Sequence, residues 1–297
     1  MKCIKCGEKA LIKLPRHNAR FCTAHFLEYF HQQVEKAIKK EKMLTFKDNI
    51  LVAVSGGKDS LVLWEVLRQL GYHAEGFYLD LGINDYSRTS RELCEKFAQK
   101  RSLKLHMISL PEELGMNITA ISQKTRRPPC SACGLIKRYY FNRFPYEHQY
   151  QIVATGHNLD DEAATLLGNL MHWQTDYLSR QSPVMPSNHP RMIKKVKPLC
   201  RLTEKETASY AVIKGIDYII DECPLATGAS SIKYKNALNY LENQSPGTKQ
   251  QLYLGFLKKG KASFSEEEED VELKSCNLCG YPTTMDKCAF CKLLEKI

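Results

Sequence analysis

The spacing of the cysteines constrains this chain more than any other feature. Nine of its twelve cysteines lie in Cys-x-x-Cys or Cys-x-x-His pairs, a spacing typical of metal sites. The pairs are Cys3 with Cys6, Cys22 with His25, Cys130 with Cys133, Cys276 with Cys279, and Cys288 with Cys291. Because thiols stay reduced in the cytosol, we expect these side chains to bind zinc or iron rather than to form disulfides.

The two terminal groups of pairs each complete a tetrahedral metal site. Near the N-terminus the ligands are Cys3, Cys6, Cys22 and His25, and near the C-terminus they are Cys276, Cys279, Cys288 and Cys291. A site with four protein ligands has no open position, so we expect two structural Zn²⁺ ions. Residues 3–25 contain few apolar side chains, and we expect the metal to hold this small module together.

The region between the terminal groups alternates β-branched segments with helical patterns. Strands are predicted at residues 50–54, 74–79, 103–108 and 150–154, and helices at 24–43, 59–70, 86–101 and from 160 onward. This alternation predicts an α/β fold with a doubly wound parallel sheet. A further parallel unit is expected at 193–199 with a helix from Thr203, helical patterns continue over 231–259, and 128–129 and 182–190 are predicted loops.

Composition and charge add weaker constraints. The 297 residues are 43% hydrophobic and 26% charged, which is ordinary for a folded chain. No apolar run approaches the ~18 residues that a membrane span needs, so we expect a cytoplasmic protein with no membrane partner. The net charge of +10 would attract a polyanion without identifying it. We expect three domains: a zinc finger at 1–27, a catalytic domain at 28–264, and an acidic linker with a second zinc finger at 265–297.

The segment ILVAVSGGKDSLVL, residues 50–63, carries the clearest chemical pattern. An apolar strand leads into Ser-Gly-Gly-Lys-Asp-Ser and then into a helix, an arrangement in which glycines and free amides at a helix N-terminus surround a phosphate. The spacing of a Walker loop is absent. The segment resembles the loop of the N-type ATP pyrophosphatases, which split ATP between its α and β phosphates. A capped Gly-Gly turn without a ligand is the simpler alternative.

Further motifs extend this resemblance over the whole chain. They are CSACGLIKR at 130–138, TGHNLDDEAAT at 155–165, LSRQ at 178–181, ECP at 222–224 and CNLCGYPTTMDKCAFC at 276–291. In this order they resemble the TtuA-type tRNA 2-thiouridine synthetases. The resemblance implies ATP-dependent replacement of the uracil 2-oxygen by sulfur at the T-loop uridine or ribothymidine, position 54, through an adenylated intermediate. It also implies tRNA and a thiocarboxylated ubiquitin-like sulfur-carrier protein as partners, and a homodimer.

The resemblance further implies roles for single residues. The expected nucleotide contacts are Ala53, Ser55, Gly56, Gly57, Lys58, Asp59, Ser60, Asp80, Ile83 and Gly156. Asp80 and Ile83 follow the second strand, where open parallel sheets bind nucleotides, but they fit a simple turn equally well. Asp59 is expected to help hold Mg²⁺, and Asp161 to accept or donate a proton. Lys137 lies one turn after Cys133 and is expected to point into the same cavity, although a surface lysine would have the same spacing.

The central cysteines allow three interpretations. Cys130, Cys133 and Cys223 are three thiols, which do not complete a tetrahedral zinc site but can hold a 4Fe–4S cluster with one iron open to sulfur. The resemblance implies this cluster. A redox-active Cys-x-x-Cys pair and a third zinc with an unrecognised ligand remain alternatives. Cys94 and Cys200 are expected to be inert.

Other functions also fit parts of this pattern. A wobble-uridine 2-thiolase would share the loop, the central cysteines and the terminal zinc modules. A tRNA-binding scaffold with zinc knuckles would bind tRNA without consuming ATP. Basic residues of the N-terminal module are expected to contact tRNA or simply to solvate the module, namely Lys2, Lys5, Lys9, Lys13, Arg16 and Arg20.

Overall fold

The N-terminal module packs into the body of the protein. In the computed structural model, which describes residues 1–226, 230–264 and 273–297, a hairpin of β1 (Ile12–Leu14) and β2 (Ala19–Phe21) leads into helix α1 (Thr23–Lys40). Leu14 and Phe21 are buried and belong to the same core cluster as the body. Apolar burial against the body therefore also contributes to the stability of this module, and the expected role of a metal stays a prediction.

Six strands form the central sheet, in the order β5-β4-β3-β6-β8-β7. They are β3 (Ile50–Val54), β4 (Ala74–Asp80), β5 (Leu105–Ser109), β6 (Ile152–Thr155), β7 (Val184–Met185) and β8 (Lys194–Val196). The first four and β8 pair in parallel, as the strand-helix alternation predicts. The edge strand β7 pairs with β8 in the antiparallel sense, inside a segment predicted to be loop. The sheet is therefore mostly, not wholly, parallel.

Helices pack against the central sheet. They are α2 (Lys58–Gln69), α3 (Asn84–Lys100), α4 (Leu110–Leu114), α5 (Ile118–Thr125), α6 (Pro129–Glu147), α7 (Leu159–Met171), α8 (Thr175–Arg180), α9 (Glu204–Ile213), α10 (Ser230–Gln244) and α11 (Thr248–Gly255). A π-helical turn at Phe256–Gly260 and a 3₁₀ turn at Lys261–Phe264 follow. The described helices include no segment long and apolar enough to cross a membrane.

Capping boxes define the starts of helices α7 and α9. Asn158 accepts hydrogen bonds from the backbone of α7, and the Asp161 carboxylate accepts one in return from the Asn158 N–H. Thr203 and Glu206 make the same reciprocal pair at α9. Because such boxes satisfy backbone donors that the helix leaves free, they hold each helix start in position beside the sheet.

The C-terminal module packs against α6. It contains the short strands β9 (Lys274–Ser275) and β10 (Pro282–Thr283) and helix α12 (Ala289–Leu294). The ring of Phe290 stacks on that of Tyr139, with centroids 3.7 Å apart. The Asn142 amide donates a hydrogen bond to the Tyr281 hydroxyl at 2.8 Å. The acidic tract at 265–270, predicted to be a linker, lies outside the described residues.

Candidate active site and metal clusters

A cleft of about 460 Å³ lies at the carboxyl ends of the central strands. Open parallel sheets bind ligands at this edge, where the strand order reverses. The cleft brings together most of the residues singled out from the sequence: Ala53, Ser55, Asp59, Ser60, Ile83, Cys130, Cys133, Lys137, Gly156, Asp161 and Cys223. Loop residues, acids, a lysine and three thiols from distant parts of the chain therefore share one cavity.

The loop after β3 is closed by its own side chains. The Ser60 hydroxyl donates to the Gly57 carbonyl at 2.9 Å and accepts from the Ser55 N–H at 3.2 Å. Gly56 adopts a φ of +75°, and a Cβ there would lie 2.7 Å from the Ser90 carbonyl oxygen. Only glycine fits this backbone, which leaves the first amides of α2 directed at the end of the loop.

Gly156 lets β6 approach the start of α2. A Cβ on this residue would lie 2.7 Å from the backbone nitrogen of Ser60. Asp80, in contrast, is not among the residues that line the cleft in the described parts of the chain. Its carboxylate accepts a hydrogen bond from the Gly82 N–H at 2.8 Å and so closes the turn after β4. The nucleotide contact expected of Asp80 stays a prediction.

Five charged side chains form a connected network at the mouth of the loop. The Lys58 ammonium lies 2.7 Å from Glu204 and 3.1 Å from Asp59. The Lys235 ammonium lies 2.5 Å from Asp161 and 3.6 Å from the other oxygen of Glu204. Glu204 thus bridges two lysines that come from α2 and α10.

The two aspartates of this network have opposite pKa shifts. Burial acts to raise the pKa of Asp161, but the ion pair and hydrogen bond with Lys235 lower it below its ordinary value. Burial, together with the nearby Asp161 charge, raises the pKa of Asp59 despite the opposing effect of Lys58. Asp161 is therefore held as a carboxylate at neutral pH.

The three central thiols, Cys130, Cys133 and Cys223, all line the cleft. Cys130 and Cys133 are in the first turns of α6, and the Cys130 Sγ faces the Leu225 carbonyl oxygen at 3.5 Å, beside Cys223. Burial raises the pKa of Cys133, an effect that Lys137 opposes. Lys137 lines the same cavity as Cys133, as the helical spacing predicts.

The terminal cysteines form compact four-ligand groups. In each group the four ligand atoms lie within 4.8 Å of one another. The N-terminal group is Cys3, Cys6, Cys22 and His25, and the C-terminal group is Cys276, Cys279, Cys288 and Cys291. The Cys6–Cys22 and Cys279–Cys288 sulfur distances are 3.8 and 3.7 Å. Two sulfurs bound to one tetrahedral zinc are about 3.8 Å apart, given Zn–S bonds of about 2.3 Å. Each of the two groups therefore fits one zinc ion of its own.

The charge of these thiols also calls for a cation. Burial and three neighbouring thiols raise the pKa of Cys291. Burial acts in the same sense on Cys276, but backbone N–H donors outweigh it and lower the pKa of that thiol to about 6. A divalent ion would relieve the repulsion among thiolates held this close.

Cys94 and Cys200 belong neither to the terminal groups nor to the central thiols, and both are buried. Burial raises the pKa of both Cys94 and Cys200 to about 12, which keeps these thiols protonated. Their expected inertness agrees with this environment, because the thiolate is the reactive form.

Sequence reasoning missed part of the site. It did not single out Glu204, Lys235 or Asn158, whose amide donates to Asp59 at 3.1 Å. The Thr203-x-x-Glu206 capping pattern places Glu204 at a helix start, which is a usable indication. Nothing local marks Lys235, because its partner Asp161 is more than seventy positions away.

Arg16 was expected among the solvent-facing basic residues, and this expectation is wrong. Its side chain is only 5% exposed and pairs with Glu206, which is 2% exposed, at 2.6 Å. It also donates hydrogen bonds to the Tyr29 hydroxyl and the Arg201 carbonyl, both at 3.0 Å. Arg16 is thus unavailable to a nucleic acid and instead joins the N-terminal module to α9.

Comparison with known proteins identifies the family. Residues 27–227 match the PP-loop domain family, and residues 2–27 match the N-terminal LIM domain of 2-thiouridine synthetase TtuA. The tRNA-5-methyluridine(54) 2-sulfurtransferase of Pyrococcus horikoshii is 46% identical over 98% of this chain and 93% of its own. The Thermus thermophilus protein of the same name is 45% identical over 100% of this chain and 92% of its own.

The structure agrees with this assignment at the level of fold. The U34-tRNA thiolase NcsA from Methanococcus maripaludis, solved with its [4Fe-4S] cluster, superposes with a TM-score of 0.84 at 24% identity, covering 100% of this chain and 96% of its own. The mostly parallel sheet with its surrounding helices is therefore an architecture that the two chains share. The chain belongs to the PP-loop family and, within it, to the tRNA-5-methyluridine(54) 2-sulfurtransferases.

Proposed function

We propose that this protein is an ATP-dependent tRNA sulfurtransferase that replaces the 2-oxygen of the T-loop uridine or ribothymidine at position 54 with sulfur. The observation that carries the proposal is the single cleft in which the phosphate-type loop, Asp161, Lys137 and three thiols meet. Activation of the oxygen and delivery of sulfur must occur at the same uracil carbon, so both sets of groups have to reach one bound base.

The loop serves the activation step. The uracil 2-oxygen attacks the α-phosphorus of ATP, the bond from that phosphorus to the bridging oxygen breaks, and pyrophosphate leaves. Free amides at the start of α2 and the Lys58 ammonium stabilise the phosphate charge. Asp59 is placed at the same mouth, where its carboxylate would help hold the Mg²⁺ that accompanies ATP.

Lys137 and Asp161 serve the substitution step. A sulfur nucleophile adds to the activated carbon, and AMP leaves with the original oxygen. Asp161 is ionised, so it can take the proton of the incoming sulfur species. Lys137, beside Cys133, stabilises the negative charge that develops as sulfur adds.

The three central cysteines fit a cluster better than a zinc ion. Cys130, Cys133 and Cys223 do not form one of the groups with ligand atoms within 4.8 Å, although all three are described and line the same cleft. A tetrahedral ion needs its ligands within about 4 Å of each other, whereas a multi-iron centre spans more widely spaced thiols. When bound, a 4Fe–4S cluster held by three thiols supplies an iron without a protein ligand, where sulfur can be held.

Nucleoside analysis tests the function directly. Transfer RNA from cells lacking the protein should lose 2-thioribothymidine, measured by mass spectrometry of digested nucleosides, and the wild-type gene should restore it. A Lys58→Ala variant should fail to restore it and should release no pyrophosphate in vitro while keeping both terminal zinc ions. Normal thiolation by that variant would contradict the ATP assignment.

One observation favours a second candidate substrate, the wobble uridine. The fold superposes on a thiolase of U34, a wobble nucleoside, over the whole chain. Loss of a thiolated wobble uridine instead of 2-thioribothymidine in the same experiment would transfer the assignment to that position. If the protein binds tRNA but neither thiolates it nor releases AMP, the result would instead support a non-catalytic tRNA-binding scaffold.

Further parts of the proposal complete the reaction. The sulfur donor is the thiocarboxylated C-terminus of a ubiquitin-like carrier protein, the terminal groups each hold a structural Zn²⁺, and the protein acts as a homodimer in the cytoplasm. Residues 1–27, 28–264 and 265–297 form the N-terminal zinc finger, the catalytic domain and the linker with the second zinc finger. Metal analysis, carrier pull-down and sedimentation test these points separately.

A further inference from the structure

The Glu204 carboxylate bridges two lysines, of which only Lys58 belongs to the loop after β3. One oxygen of Glu204 lies 2.7 Å from the Lys58 ammonium, and the other lies 3.6 Å from that of Lys235. Lys235 is on α10, beyond residues 27–227 that match the PP-loop family. It therefore adds a cation that the loop motif does not contain.

The position of Lys235 is set by packing. Gly168 on α7 lets the ring of Tyr234 approach, since a Cβ at Gly168 would lie 3.0 Å from that ring. The Tyr234 hydroxyl is hydrogen-bonded to His172 at 2.9 Å. These contacts fix the register of α10 on α7, so the next residue, Lys235, faces Asp161 and Glu204 at the mouth of the loop.

The Glu204 carboxylate lies between the two lysines in a position from which another anion could displace it. Its side chain is 39% exposed, more than those of either lysine, and it is the first residue of α9. It lines a second cleft of about 430 Å³ that adjoins the first through Asp59 and Tyr86 and also contains Lys58. The two oxygens of a carboxylate have nearly the separation of two oxygens of a phosphoryl group, so a phosphoryl group fits between the same ammonium groups.

We propose that Lys58 and Lys235 form a two-cation site for the pyrophosphate portion of ATP, in which Glu204 occupies the place of a phosphoryl group until the nucleotide displaces it. The assignment rests on the proposed function, in which ATP is cleaved to AMP and pyrophosphate. Without nucleotide, Glu204 keeps both lysines charged and correctly placed. With nucleotide, it competes with the ligand.

Direct binding of pyrophosphate, measured by calorimetry with Mg²⁺ present, tests this site without thiolation. Lys235→Ala should weaken binding about tenfold, equivalent to about 1.4 kcal/mol. Lys235→Arg should keep most of the affinity, and Glu204→Gln should bind more tightly than wild type because the competing charge is gone. Lys233→Ala, an exposed lysine on the same helix, is the matched control and should not change the affinity.

The outcomes separate this site from the proposed function. Wild-type affinity in Lys235→Ala, or weaker binding in Glu204→Gln, would overturn the two-cation site while leaving ATP cleavage in place. Failure of the wild-type protein to bind either ATP or pyrophosphate would overturn both. Should Lys235→Ala not fold, as judged by circular dichroism, the direction of the change in Glu204→Gln decides the matter.

Discussion

Asp59 and Asp161 show how one site gives two carboxylates different tasks. Both border the same cleft, yet the pKa of Asp59 is raised and that of Asp161 is lowered. The difference comes from their partners, since Asp161 has an ion pair with Lys235 while Asp59 shares Lys58 with Glu204. Carboxylates whose surroundings move their pKa values apart are a usual basis for separate roles in a reaction. Asp161 is therefore the carboxylate of the two that its surroundings hold in the ionised form over the neutral range.

Replacing Asp161 with Asn should therefore impair sulfur transfer more than folding. The amide oxygen can still accept the hydrogen bond from the Asn158 N–H, so the start of α7 is retained. Without the base, we expect the thiolation rate to fall at least about a hundredfold. Because the pKa of Asp161 is lowered, the wild-type rate should not decline from protonation of this residue between about pH 6 and 8. Single-turnover thiolation across this pH range checks both points, and a variant of near wild-type rate would remove the base role.

The elements differ in how far sequence could predict them. Strands β3, β4 and β6 and the loop after β3 have strong local patterns, and the structure confirms them. The antiparallel strand β7 has two residues, and its pairing is decided by the neighbouring β8 rather than by its own sequence. Arg16 was misassigned to the surface for a similar reason. Charged residues are usually exposed, and its partner Glu206 is 190 positions away in the chain.

Helix α9 connects the N-terminal module to the site, and Glu206 is its anchor. Removing one partner of a buried ion pair leaves the other charge uncompensated, which costs about 3–5 kcal/mol. Glu206→Gln should therefore lower the free energy of unfolding by about 3 kcal/mol, measured by urea denaturation of the zinc-loaded protein. Glu95→Gln breaks the exposed pair with Arg91 and should cost less than about 1 kcal/mol. Equal losses of unfolding free energy in the two variants would show that the buried Arg16–Glu206 pair stabilises the fold no more than an exposed pair does.

At the scale of the molecule, each terminal module supports a different wall of the cleft. The N-terminal module contacts α9, which carries Glu204, through the Arg16–Glu206 pair. The C-terminal module contacts α6, which carries Cys130 and Cys133, through Tyr139 and Asn142. The two modules thus contact the helices that carry Glu204 and two of the three central thiols.

The C-terminal contacts lie well away from the thiols on the same helix. Tyr139 lies nine positions after Cys130 and six after Cys133, which is about 14 Å and about 9 Å along α6 at 1.5 Å per residue. Cys279→Ala should therefore lose one zinc ion and loosen the C-terminal module while keeping the iron. The loss of zinc follows because a structural site contributes its own folding energy.

Zinc and iron contents of protein reconstituted without oxygen would measure this, together with the visible absorbance of the cluster. Cys133→Ala is the matched control, which should lose the iron and keep both zinc ions. Equal loss of iron in Cys279→Ala would mean that the terminal and central cysteines do not bind metal as separate groups. It would also mean that the walls of the cleft depend on the C-terminal module much more strongly than the contacts through Tyr139 and Asn142 require.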